Sequence, residues 1–274
     1  MQQISELTPQ QEALLDEYKR KWQLAALSTG TIDKQKTTQA IEAVYKQISK
    51  VEEFDIYFFE SPVGIADLSF LNCLYPNENW CNSRKLNNLI RQFENQLLRK
   101  GFLRDNFWRH ITSPLIEAVG SQVDIQLWHY LEKRLSFWSP LSSLIPVKLG
   151  GSEQSSLIWK SAKPNQQRRL EGLWFLLTTG LVSPDGECSV CCLLDYCVTE
   201  LQCSAPEHLW HILKTFVADC GWTFLFQDFC LTCNRPYQVI LDDQNKPHSE
   251  NEAAIQFLDG FSVLAKHGTS VPQL

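Results

Sequence analysis

The sequence predicts an α+β protein, predominantly α-helical, with a short N-terminal strand and a small C-terminal antiparallel β-meander. Three observations carry this. Apolar residues recur at helical spacing over most of the chain before residue 220, one early run is too aromatic and too short for a helix, and three short alternating runs follow residue 236. At 274 residues the chain is long enough for one substantial core or two modest ones.

The first helix starts at Thr8-Pro9-Gln10-Gln11. Thr8 caps, Pro9 suits the first helical position and Gln11 stands where a capping box places its reciprocal side chain. Leu14, Leu15, Tyr18, Trp22 and Ala25 follow at helical spacing, and Gly30 marks the stop. A second helix begins at Asp33 and presents Ala40, Val44, Tyr45 and Ile48 on one face. Phe54-Asp-Ile-Tyr-Phe-Phe59 reads as a strand, and Ser61 with Pro62 opens the next helix.

The middle of the chain contains a repeat. Residues 91–113 align with 121–143 at a fixed offset of 30, matching Gln92 with Gln122, Gln96 with Gln126, Leu97 with Leu127, Arg104 with Arg134, Phe107 with Phe137, Trp108 with Trp138 and Ser113 with Ser143. A unit of that length is the size of a helix plus a turn, and two copies bury their apolar faces by docking on flanking helices. Between residues 139 and 169, Pro140, Pro146, Gly150-Gly151 and Lys163-Pro164-Asn165 crowd together with few periodic apolar positions. The chain therefore divides into a helical region over 1–150, a loop or hinge over 151–169, and a second region over 170–274, the two regions packing as one unit.

The second region opens with helices over Leu170–Thr179, Cys188–Cys203 and Pro206–Cys220, the last closed by Gly221. Tyr237–Leu241, Ala254–Leu258 and Phe261–Ala265 then alternate with period two. Asp259-Gly260 between the last two is a hairpin signal, Asp242–Asn245 turns the preceding strand, and His267-Gly268 forms a further turn.

Composition narrows the function classes. Twenty-five Lys and Arg against 31 Asp and Glu give a formal net charge of -6, without the basic surplus that drives nucleic-acid affinity. No apolar run reaches the roughly 18 residues a membrane span needs, and the first residues lack a basic and apolar leader, so the expected location is cytoplasmic. Ten cysteines in a reducing compartment serve packing, metal ligation or thiol chemistry rather than a disulfide framework. Phosphate-cradling glycine loops, nucleophile elbows, kinase motifs and dinucleotide fingerprints are all lacking. The nine Trp, among them Trp22, Trp80, Trp128, Trp174 and Trp210, fall mostly on helix faces and read as packing anchors.

Two residue sets could carry chemistry. Cys188-Ser-Val-Cys191 and Cys230-Leu-Thr-Cys233 could close a four-thiolate zinc site, although 38 residues separate the pairs and Cys188, Cys191 and Cys192 also sit at spacing suited to a buried helical face. The second set is polar: Asp242, His248, Glu250 and His267 as acid-base candidates, with Arg235, Asp259 and Trp222 as binding candidates. In an extended segment His248 and Glu250 project from one face, where an imidazole beside a carboxylate shuttles protons or binds metal; the same residue types also populate turns simply to satisfy loop backbone. His208 and His211 are neighbours on a helix but lack the glutamate of the zinc-protease pattern.

The C-terminal motifs resemble an uncharacterised bacterial domain family. Cys220-Gly221-Trp222, Arg235-Pro236, His248-Ser249-Glu250, Asp259-Gly260 and His267-Gly268 with Val271-Pro272 follow the order of that family's Cys-Gly-Trp-Trp, Arg-Pro, Leu-His-x-Glu-x-Gly-Pro-Ala, Asp-Gly and His-Gly-x-x-Val-Pro tail. Leu7-Thr-Pro9, Ala26–Thr29, Ile32–Gln35 and Ser61-Pro62 are similar to its opening, and Gln122–Leu127 to the Gln-Val repeats of its middle. The family is one of unknown function, so the resemblance implies an architecture and no activity. This chain departs from the pattern where Glu252 and Ala253 replace the Gly and Pro of the histidine motif, a change that a turn of positive φ would tolerate badly.

The functional expectation is a non-enzymatic module that binds a protein or peptide partner, with no membrane and no general nucleic-acid partner and no required cofactor. An enzyme of unrecognised class on the C-terminal meander is the alternative, and a zinc-stabilised nucleic-acid binder the second alternative.

Overall fold

The computed structural model describes residues 7–49, 53–65, 85–86, 88–91, 122–123, 126, 181–203 and 206–271. Helix α1 (Pro9–Ala26) begins as its sequence dictates. The Thr8 hydroxyl accepts from the Gln11 N–H at 3.3 Å, and the Gln11 side chain accepts from the Thr8 N–H at 2.9 Å. Trp22 is buried, while Leu14, Leu15, Tyr18 and Ala25 pack on the core from its edge. The helix stops at Ala26. Gly30 acts further on, with a φ of 108° that only glycine adopts easily, and donates its N–H to the Pro236 carbonyl at 2.9 Å.

Helix α2 (Lys34–Ile48) is capped by the Asp33 carboxylate, which accepts from the N–H groups of Gln35 and Lys36. It buries Thr37, Ala40, Ile41, Val44 and Tyr45. Strand β1 (Asp55–Phe59) follows, and Ser61 accepts from the Val63 N–H at 3.2 Å where residues 62–65 turn helical, as expected.

After β2 (Leu181–Val182), helix α3 (Pro184–Thr199) starts four residues before the expected Cys188 because Ser183 accepts from the Gly186 N–H and Pro184 fills the first position. Helix α4 (Glu207–Asp219) matches expectation closely. Strands β3 (Thr223–Leu225) and β4 (Phe229–Cys233) were not expected, and they make the centre of the fold. The sheet runs β1-β4-β3-β2, with β1 parallel to β4 and the other neighbours antiparallel.

Helix α1 packs on α3, α3 on α4 and α4 on α2. Their apolar faces meet the sheet in one core that includes Ile41, Tyr45, Cys192, Tyr196, Phe216, Leu225 and Cys230. Each such large apolar side chain, fully buried, contributes about 1.5–3 kcal/mol by removal from water. Leu231 and Cys233 on the opposite face are buried as well, so β4 is enclosed on both sides.

The C-terminal strands β5 (Gln238–Val239), β6 (Ile255–Gln256) and β7 (Ser262–Val263) form the expected antiparallel meander, with shorter strands than their alternation suggests. The Asp259-Gly260 connection is wider than a two-residue loop. The Phe257 N–H bonds the Phe261 carbonyl, and Gly260 takes a φ of 90° after Leu258 and Asp259. Strands β8 (Ala265–Lys266) and β9 (Thr269–Ser270) flank His267-Gly268, whose φ values of 47° and 73° are both left-handed.

Of the repeat, Arg91, Gln122, Val123 and Gln126 lie within the described residues, all in helical conformation; the remainder, the 139–169 boundary and the Leu170–Thr179 helix lie outside them. Gln122 and Gln126 are buried and donate to the Gly268 and Val271 carbonyls, tying this segment to the C-terminal hairpin. Among the described residues no helix is long and apolar enough to cross a membrane.

Candidate functional site

The sequence-selected residues separate into a buried group and an exposed one. The buried group centres on Asn234-Arg235-Pro236, immediately after β4. The Arg235 guanidinium donates to the Ala25 carbonyl and Ser28 hydroxyl at the end of α1, and to the carbonyls of Val217 (2.8 Å), Ala218 (3.2 Å) and Cys220 (2.9 Å) at the end of α4. A cation at a helix C-terminus satisfies unpaired carbonyls and opposes the negative end of the dipole. Arg235 does so for two helices at once and, although a binding candidate by sequence, is only 5% exposed.

Asn234 completes this junction. Its side chain accepts from the Ile32 N–H and donates to Glu60, while its backbone N–H reaches the Phe59 carbonyl. Gly221 lets the chain pass so close to β4 that a Cβ there would stand 1.9 Å from the Cys233 carbonyl oxygen. Trp222 is 2% exposed and meets Phe257 edge-on at 5.7 Å, so its ring packs against the meander. Asp259 accepts from the Phe261 N–H and serves its own turn. The Cys-Gly-Trp and Arg-Pro motifs are therefore framework.

The four candidate zinc thiolates do not meet, and the described residues contain no cluster of three or more metal-capable side chains. The reason is local geometry. Side chains alternate along β4, so Cys230 and Cys233, an odd number apart, face opposite sides of the sheet. Cys230 joins the helix-side core with Cys188 and Cys191. Burial pushes the Cys191, Cys230 and Cys233 thiols well above their ordinary range, and Cys192 up to about 12.

The exposed group does converge. His248 and His267 stack with ring centroids 4.1 Å apart, His267 Nδ1 lies 2.9 Å from the Asp242 carboxylate, and His248 Nε2 lies 3.6 Å from Glu250. Lys266 pairs with the other Glu250 oxygen at 2.7 Å. His248 Nδ1 accepts the His267 backbone N–H at 3.2 Å, so a neutral His248 carries its proton on Nε2, toward Glu250. Backbone donation from Lys246, aided by His267 and by Gln244, holds the Asp242 carboxyl below its ordinary range; the Lys266 ammonium does the same for Glu250.

This convergence is a clasp on an open surface. The side chains of His267, Glu250 and Lys266 are 71%, 59% and 54% exposed, unlike the enclosed groups of a typical catalytic pocket, while those of Asp242 and His248 are mostly covered, at 7% and 19%. The polar atoms mainly hold the β8–β9 hairpin against the 242–250 loop, helped by the Ser249 N–H on the Ala265 carbonyl and the Gly268 N–H on that of Pro247. Glu252 and Ala253 fit this loop, neither of them with a positive φ. The Glu252 N–H bonds the Ser249 hydroxyl.

Two features escaped sequence reasoning. Asp195, 1% exposed in α3, accepts from Trp22 Nε1 at 3.0 Å and pairs with Lys21, which lies over the Tyr18 and Trp22 rings. The second is the outer edge of β1. Asp55 donates to the Asp228 carbonyl and the Phe59 carbonyl accepts from Asn234, so residues 55, 57 and 59 direct their backbone groups toward β4. Those of Ile56 and Phe58 point the other way, where no strand pairs with them among the described residues. Tyr57 stands beside this edge, 47% exposed and edge-on to Phe229 at 6.3 Å. No family model, no curated protein and no solved structure matches this chain.

Proposed function

We propose that the protein is a non-enzymatic interaction module that binds an extended peptide segment of a partner by adding it as a strand beside β1. The reading is supported by one observation above all: the outward backbone donors and acceptors of Ile56 and Phe58 lie at the edge of a sheet whose interior is rigidly packed. Such an edge is a template for another chain, with main-chain hydrogen bonds supplying affinity and alternate side chains supplying selectivity. Tyr57 and Phe229 favour an apolar or aromatic residue on the added strand. The binding needs no metal or cofactor, and burial of most described cysteines in the core suits a reducing, cytoplasmic setting.

The test is peptide selection. Peptides from a random library chosen on the immobilised protein are expected to slow amide exchange at Ile56 and Phe58. They should also lose binding to Phe58→Pro, which removes an outward donor at an edge where proline is tolerated. Selected peptides that bind Phe58→Pro undiminished, or that protect other amides, would overturn the reading.

A further inference from the structure

Helix α3 ends in an irregular turn that brings two cysteines together. Gln202 adopts a φ of 48°, a left-handed conformation unusual for a side chain other than glycine or asparagine, and this folds the chain back on the helix. The Cys203 N–H consequently reaches the Cys197 carbonyl at 2.9 Å. The neighbouring Cys203 thiol, with burial, raises the thiol of Cys197. A backbone hydrogen bond holds two Cα atoms about 5–6 Å apart, inside the window a disulfide requires. Cys197 is fully buried in the helical core, whereas Cys203 alone among the described cysteines is not fully buried, so an external oxidant meets it first.

We propose that Cys197 and Cys203 form a reversible oxidation site that closes to an intramolecular disulfide when the protein meets a peroxide. The Cys203 sulfur attacks hydrogen peroxide; an S–O bond forms as the O–O bond breaks, water leaves and Cys203 becomes a sulfenic acid. The Cys197 sulfur then attacks the Cys203 sulfur, the S–S bond forms as the S–O bond breaks, and the departing hydroxide takes the Cys197 proton as a second water. Two thiols and one peroxide give one disulfide and two waters. The raised Cys197 thiol therefore stays protonated until the sulfenic acid forms beside it. Proximity replaces acidity as the driving factor, because the backbone bond between the two residues already holds them side by side. The bond would staple the last turn of α3 to the segment leading into α4.

Mass mapping tests this. Folded protein is treated with hydrogen peroxide, remaining thiols are blocked, and the chain is cut with chymotrypsin, which cleaves after Leu201 between the two cysteines. The expected product is the pair of flanking peptides joined and lighter by two hydrogens, separable by dithiothreitol and not formed in Cys203→Ser. A peroxide-treated protein in which Cys203 is carried to sulfinic acid while Cys197 stays alkylatable would overturn the proposal. So would a disulfide mapped to any other pair. Should Cys203→Ser lose its secondary structure, the wild-type map decides alone.

Discussion

Arg235 and His267 both belong to motifs that looked like parts of one polar site, yet they sit in opposite physical environments. The guanidinium of Arg235 is enclosed and donates to the ends of two helices, while the imidazole of His267 is 71% exposed and clips one hairpin to one loop. Their difference teaches that a polar motif is read by what its atoms face. Enclosed charge joined to backbone carbonyls is architecture, because removing it strands acceptors that water cannot reach easily. Exposed charge joined to other side chains is weak cohesion, because solvent competes for every partner.

The largest expected effect breaks the buried half. Arg235→Ala leaves carbonyls at the ends of α1 and α4 without their donor and should lower stability by about 3 kcal/mol or more, read as a lower urea midpoint with an unchanged slope. Arg235→Lys should recover little of this, since one ammonium cannot span both helix ends as the planar guanidinium does. A variant within about 0.5 kcal/mol of wild type would return Arg235 to the ligand-binding candidates. Gly221→Ala ranks next. Its methyl would collide with the Cys233 carbonyl, a backbone group that cannot step aside cheaply, and a loss of about 2 kcal/mol is expected by the same measurement.

The smallest effect sharpens the exposed half, and its sign follows from the carboxyls. Asp242 and Glu250 are held below their ordinary values in the folded chain, so each contributes stability that is present above the unfolded carboxyl pKa of about 4 and is lost as pH falls through the lower folded value. Amide exchange at His267 and Lys246 should therefore accelerate, relative to the intrinsic rate, as pH drops below about 4. Asp242→Asn should flatten that dependence while leaving the amides of β4 unmoved. Equal acceleration across β4 and the hairpin would show that the clasp and the framework are one cooperative unit.

Helices α1, α2 and α4 were legible because caps and apolar periodicity agree along them, from Thr8 with Gln11 through Asp33 to the run ending at Asp219. Strands β3 and β4 were hidden for a physical reason. Phe224, Leu225, Cys230 and Leu231 are all buried, so the alternation that reveals a half-exposed strand is lost when both faces are covered. The same effect misled the cysteine reading: Cys230-Leu-Thr-Cys233 resembles a chelating pair in sequence, and only the strand conformation turns its thiols apart. His248, Glu250, Asp242 and His267 were grouped by residue type alone, and their turns bring them together. Arg235 was wrongly grouped with them, because sequence separation of a few residues spans the distance from surface to interior. The edge position of β1 among the described strands was unreadable, since it depends on pairing across more than 170 residues, as Asp55 with Phe229 shows.

The most direct test of the account is the amide exchange of β1 in the free protein. With β4 on one side and no strand on the other among the described residues, Tyr57 should exchange slowly while Ile56 and Phe58 exchange at rates close to those of open backbone. Uniform slow exchange at all three would show that the outer edge is already occupied, and would contradict strand addition as the way this protein binds.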